Sequence, residues 1–103
     1  MEKMTRQGRP CKQKIILAQP RIDHFRPRGR QGRPEEVIVA VEEFEAIRIH
    51  DHLGLQQKEA ARMMGISQQS FSRIVRDARR KVSDALVNAK VIRISGGNFI
   101  NKR

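Results

Sequence analysis

A chain of 103 residues with 22 Lys+Arg against 11 Asp+Glu carries a formal charge of +11 and a sequence pI near 11.3. That length suits one modest domain, and that charge attracts polyanions, so nucleic acid or an anionic membrane surface is the first expectation. The runs Ile15–Ala18 and Val37–Val41 are too short to span a bilayer, the basic N-terminus lacks a secretory h-region, and a lone Cys11 excludes an internal disulfide; a cytoplasmic location with no membrane partner is expected.

Residues 1–34 hold all four prolines and three of the seven glycines, with a net charge of +8. This composition predicts an extended basic arm with little helix, and room for a short strand over Lys14–Leu17. Arg6-Gln7-Gly8-Arg9-Pro10 recurs as Arg30-Gln31-Gly32-Arg33-Pro34. The remainder, 35–103, is expected to form the folded domain. Residues 35–61 are acidic at net −5, and residues 62–103 return to net +8, which implies two basic surfaces separated by a structured acidic element.

Val37–Val41 is β-branched and reads as a strand. Glu42–Leu53 then reads as a helix that is apolar on two sides. Ala46, Ile49 and Leu53 make one seam, and Phe44 and Ile47 another. A helix covered on one face shows one stripe, so the arm or a second subunit is expected on the other face. Gln57–Met64 reads as a second helix, Gly65 as a turn, and Gln68 to about Ala89 as a long third helix. Phe71, Val75, Ala78, Val82, Ala85 and Ala89 make a packing seam ~33 Å long. Val91–Ser95 reads as a strand stopped by Gly96-Gly97, able to pair with Val37–Val41.

Gln57 to Ile74 fits a helix-turn-helix. Such a unit needs apolar residues facing the core, a small residue at the helix crossing, and a residue tolerant of positive φ in the turn. Ala60, Met64, Ile66, Phe71 and Ile74 meet the first need, Ala61 the second and Gly65 the third, while Ser67 suits the N-cap of the following helix. At about 100° per residue, Gln69, Arg73, Arg76 and Arg80 share a stripe opposite Phe71, Val75 and Val82, flanked by Gln68 and Ser72. Gln pairs with adenine and Arg with guanine in the major groove. Gln68, Gln69, Ser72, Arg73 and Arg76 are therefore the candidates for base readout, and Arg79, Arg80 and Lys81 for phosphate contact. An ordinary helical hairpin shares much of the pattern, but a merely solvated helix mixes signs, and here only Asp77 dilutes the positive face.

These residues also carry a resemblance. Arg9-Pro10 with Lys12 and Lys14-Ile15, then Pro20, Phe25, Pro27 and Gly29, then the block Glu42–Arg48, Asp51 and Gly54-Leu55 match one family. So do Glu59-Ala60-Ala61, Met64–Ser67, Phe71–Ile74, Ala78–Lys81 and Gly96-Gly97. The chain resembles the small prokaryotic family known as domain of unknown function 134, whose members are described only as predicted DNA-binding proteins. Its helix-turn-helix is also similar to region four of bacterial sigma factors, which binds promoter DNA. The resemblance implies a fold and a DNA-binding role. The chain departs from the family at His52-Leu53, where an acidic residue usually precedes Gly54, and at Asn88-Ala89, where Glu-Gly is frequent.

Other features carry weaker expectations. Arg28, Arg30 and Arg33 of the arm suit an A·T-rich minor groove, a phosphate-contacting tail, or pairing with Glu42, Glu43 and Glu45. His50 and His52 point about 200° apart on a helix and cannot jointly grip one ion, so no metal is expected. No nucleophile–base pair, phosphate loop or carboxylate pair stands out, so neither an enzyme nor a cofactor is expected. The acidic block could contact RNA polymerase, but Glu near a helix start ordinarily favours its dipole, and a structural role is expected.

The fold expected is mainly α: a helix-turn-helix domain of three helices, the last long, with an extended basic N-terminal arm and a small two-stranded sheet. The function expected is sequence-specific binding of double-stranded DNA by a transcriptional regulator, with homodimerisation from the modest core and long seam. The alternatives are an RNA-associated basic protein, disfavoured by the absence of Trp and Tyr for base stacking, and an adaptor that binds another protein through its helices.

Overall fold

The computed structural model describes residues 13–29 and 32–102; Cys11, the first copy of the arginine repeat, and Arg30 lie outside them. In chain order come β1 (Lys14–Ile16), β2 (His24–Phe25), β3 (Glu36–Val39), α1 (Val41–Ala46) continued by a π-helical stretch (Ile47–His52), α2 (Gln57–Met63), α3 (Gln68–Asn88), β4 (Val91–Ile94) and β5 (Phe99–Asn101). The result is a small mixed α/β domain with three helices, the last long, and two small sheets.

The three-stranded sheet has the order β2-β4-β3, with β3 parallel and β2 antiparallel to β4. Its register sets Val37 beside Ile92, Val39 beside Ile94 and Phe25 opposite Ile92. Since alternate residues share a face, these five apolar side chains lie on one face, the one that α3 crosses. On the other, Glu36 accepts ion pairs from Arg93 at 3.5 Å and His24 at 3.7 Å. The expected pairing of the Val37 and Val91 segments is therefore present, with a third strand added from the residues before Gly29.

β1 runs parallel to β5, and Ile16 is fully buried. Ile15 N–H donates to the Met64 carbonyl at 3.0 Å, and Leu17 N–H donates to the Glu45 carboxylate at 2.9 Å. The expected strand near Lys14 thus exists, and it ties to both the α2–α3 turn and α1.

Two boundaries differ from expectation. Val41 belongs to α1, because Ala40 N–H turns to the Glu43 carboxylate at 2.8 Å and Val41 N–H to the Gly96 carbonyl at 3.1 Å. The helix after Ala46 is π-helical, and Leu53 N–H closes on Arg48, five residues back, at 2.9 Å. Each such ring inserts a residue into the turn. Leu53 therefore falls short of the face that Ala46 and Ile49 occupy, and it is 51% exposed. Phe44 is only half-buried; with Ile47, Phe25, Val82 and Ile92 it lines an open apolar groove.

The core gathers Ala46, Ile49, Ala60, Ala61, Met64, Phe71 and Val75, with Met63, Ile66 and Ile74 packed against it. The α3 seam continues through the buried Ala78 and Ala85 and is covered by α1, α2 and the sheet of the same chain.

α3 ends at Ala89, a non-glycine residue in the left-handed region, with φ 55° and ψ 51°. An L side chain there costs ~1–2 kcal/mol, and helices usually resolve this terminus with glycine. Ala89→Gly should therefore stabilise the fold by about 1 kcal/mol, seen as a higher urea midpoint at unchanged slope. An unchanged or lower midpoint would show that Ala89 makes a contact outweighing the backbone strain.

Candidate nucleic-acid interface

The orientation of α3 follows from its first turn. Ser67 is extended, and its Oγ accepts the Ser70 N–H at 3.0 Å, so the expected N-cap forms. Gly65 has φ +70°, and a Cβ there would sit 3.2 Å from Ile15 Cδ1. A side chain at this position would be strained twice, by the backbone and by β1. The tight turn lets Met64 N–H bond to the Ala60 carbonyl and Ile66 N–H to the Ala61 carbonyl, at 3.1 and 3.0 Å. Phe71 then inserts at full burial with the His50 ring edge-on, 5.9 Å between centroids. His50 is itself fixed by its Nδ1, 2.7 Å from the Leu55 carbonyl, a contact in which the ring must donate.

With that side buried, the opposite side of α3 is exposed. Gln68, Gln69, Ser72, Arg73, Arg76 and Arg80 are all solvent-facing. Among the described residues none of the three arginines is engaged in an ion pair. The structure brings these six together on one side of the helix. Arg79 and Lys81 differ. Arg79 donates from Nη2 to Asp51 Oδ1 at 2.5 Å and from Nε to Oδ2 at 3.1 Å, a bidentate clasp onto the end of the π-helical stretch. Lys81 donates to both Glu43 oxygens at 2.8 and 3.0 Å. Neither pairing has a sequence signal, since the partners are 28 and 38 residues apart.

The acidic block is consumed within the fold. Glu42 accepts the Asn98 N–H at 3.2 Å, Glu43 holds Lys81, and the buried Glu45 accepts two bonds from Arg48 at 2.8 and 2.9 Å besides the Leu17 N–H. That pairing raises the Arg48 guanidinium above its ordinary range, chiefly through the Glu45 hydrogen bond. Of the arm arginines described, Arg28 and Arg33 are exposed, and Arg33 lies by Glu35 and Val87–Lys90 at the far end of α3. Among the described residues, no three His, Cys, Asp or Glu side chains converge as a metal site requires. None of their helices is long and apolar enough to cross a membrane.

A small basic domain whose longest helix turns to solvent a row of cations without an ion pair among the described residues is the class defined so far. The chain belongs to the family described as protein of unknown function DUF134, whose model matches residues 4–102. It is similar to the UPF0251 protein of Thermoanaerobacter pseudethanolicus, 49% identical over 92 residues covering 88% of this chain and 78% of the relative. A UPF0251 protein of Caldanaerobacter subterraneus is 48% identical over 92 residues, with 88% and 78% covered. One from Desulfosudis oleivorans is 45% identical over 93 residues, with 89% and 67% covered. No solved structure matches the chain.

The Asp51–Arg79 clasp gives a pH-dependent prediction. The Arg79 hydrogen bond is the main cause that lowers the Asp51 carboxyl below its ordinary value. A depressed carboxylate contributes stability above the ordinary aspartate range, and that contribution is lost as pH falls through the folded value. Both side chains are more than a third exposed, so screening holds the contribution below about 1 kcal/mol. Asp51→Asn should lower the melting midpoint slightly at neutral pH, and the gap from the parent should close as the pH falls through the lowered folded-state value of Asp51, beneath the ordinary aspartate range. A gap that stays constant with pH would assign the effect to packing.

Proposed function

We propose that the protein binds double-stranded DNA sequence-specifically, with α2, the Gly65 turn and α3 acting as a helix-turn-helix, and that it serves as a transcriptional regulator. The observation that carries this reading is the row Gln69, Arg73, Arg76 and Arg80, exposed on a helix whose other side is fixed in the core. A recognition helix enters the major groove by its N-terminal part. Gln69 and Arg73 lie there one turn apart, flanked by Gln68 and Ser72, all able to donate to base edges. Arg76 follows at the same azimuth. Arg80, about 10 Å further along the helix than Arg73, suits the phosphate backbone. Arg79 and Lys81 would have to leave Asp51 and Glu43 to reach phosphate, so Arg80 is assigned the principal backbone contact of this end.

The test separates base readout from charge. Arg73→Ala should cost ~1–3 kcal/mol on the preferred site and relax selection at one base pair, a guanine in the simplest case. Arg80→Ala should weaken preferred and scrambled duplexes alike and lower the salt slope of binding by about 1. Competition binding with both duplexes across a salt series measures both effects. Equal losses on the two duplexes for Arg73→Ala would contradict readout through this helix.

A further inference from the structure

The outward side of α3 changes character after Arg80. Ser83, Leu86 and Val87 follow where the cations end, and Leu86 and Val87 are 76% and 80% exposed. Leu86 lines a hollow with Phe25 and Ile92, and those two residues also line the apolar groove of Phe44, Ile47 and Val82. The two depressions thus form one surface where α1, α3 and the three-stranded sheet meet. Phe25, on the edge strand β2, is 52% exposed there. Contiguous apolar exposure on a small domain marks an interaction site.

Area and charge decide the occupant. The three exposed side chains and the half-buried lining of the groove leave on the order of 600 Å² per copy, so two copies would cover about 1,200 Å², the lower bound of specific interfaces. None of the residues lining the groove is charged. In the adjoining hollow Lys90 is held by Asp84 at 2.9 Å and Glu35 at 3.3 Å, and the exposed Arg26 stands at the rim, where its head can stay in water. A chain of net charge +11 repels its own copy wherever free cations meet. This surface escapes that repulsion, whereas an acidic partner would be drawn to Arg73, Arg76 and Arg80. It also holds both a projection, Leu86, and a depression, as a self-complementary two-fold interface requires.

We infer that a second copy of this chain occupies the groove, with Leu86 of each copy seated against Phe25 and Phe44 of the other. The length of α3 fits such a two-fold dimer. Leu86 lies 13 residues beyond Arg73, or ~20 Å along the helix. An axis beside Leu86 sets the two copies of Arg73 up to ~40 Å apart, and inclined helices bring them to the ~34–36 Å that separates half-sites one turn of DNA apart. The spacing alone rests on the reading of α3 as the DNA-contacting helix; the groove and its charge do not.

The experiment is sedimentation equilibrium of the full chain without DNA, over a micromolar to submillimolar concentration series. The parent should approach twice the chain mass of 11.9 kDa. Leu86→Glu should raise the dimer dissociation constant about tenfold or more, because a carboxylate would enter an apolar seat. Its melting midpoint, read where both chains are monomeric, should match the parent, since Leu86 is largely exposed. The variant lowers the net positive charge, so greater repulsion cannot account for the loss. Leu53→Glu, at a residue exposed but outside the groove, should dimerise like the parent. Mixing Leu86→Glu chains with Phe25→Lys chains should restore dimers, because one two-fold contact becomes an ion pair while the other stays native. A parent that is monomeric at every concentration, a Leu86→Glu chain that dimerises undiminished, or equal dissociation of Leu53→Glu overturns the inference while leaving α3 as the reading helix. A chain that dimerises through Leu86 yet binds no duplex DNA supports the inference and overturns the reading of α3.

Discussion

Burial of Phe71, Val75, Ala78 and Ala85 along one side of α3 constrains most of what this protein presents to solvent. A helix has a single periodicity, so fixing one side fixes the azimuth of every other residue. Gln69, Arg73, Arg76 and Arg80 are exposed because they stand opposite that seam. Removing the Phe71 ring from such a site costs ~3–5 kcal/mol in comparable cores, a large part of the stability of a domain this size. The cationic face is therefore held by the hydrophobic effect, and electrostatics has only to keep it free of internal partners.

Free and engaged cations are sorted by the acidic block. Glu43 takes Lys81, Glu45 takes Arg48, and Asp51 takes Arg79. The buried Glu45 would be costly if unpaired, and it is satisfied from two directions, by a guanidinium one turn away and by the backbone N–H of Leu17, just after β1. Through these carboxylates and Glu42, α1 is joined to Leu17 just after β1, to α3 and to the segment at Asn98. A net charge of +11 thus coexists with a structured centre, since Glu43, Glu45 and Asp51 each hold a cation of the fold while Arg73, Arg76 and Arg80 stand exposed on α3 without an ion pair among the described residues.

Much of this was legible in the residues. The 4-3 spacing from Phe71 to Ala89 gave the long helix and its buried side, Gly65 and Ser67 gave the turn and the cap, and the two β-branched runs gave the β3–β4 pair. What escaped was non-local or lacked periodicity. The π-helical stretch has no composition signal, and it turned Leu53 outward. β2, of two residues, and β5 are defined by their partners more than by their own sequence. The clasps of Arg79 and Lys81 depend on residues 28 and 38 positions away, which the helical wheel cannot reveal. Those clasps divide one run of cations into engaged and available members.

The most direct measurement is a map of backbone amide shifts in the isotope-labelled chain as a short random-sequence duplex is added at low salt. The largest changes are predicted at Ser67–Arg80, with the apolar groove around Phe44 and Ile47 little affected. Changes centred on that groove, or spread evenly over every basic residue, would contradict the assignment of the outward face of α3 as the DNA-contacting surface.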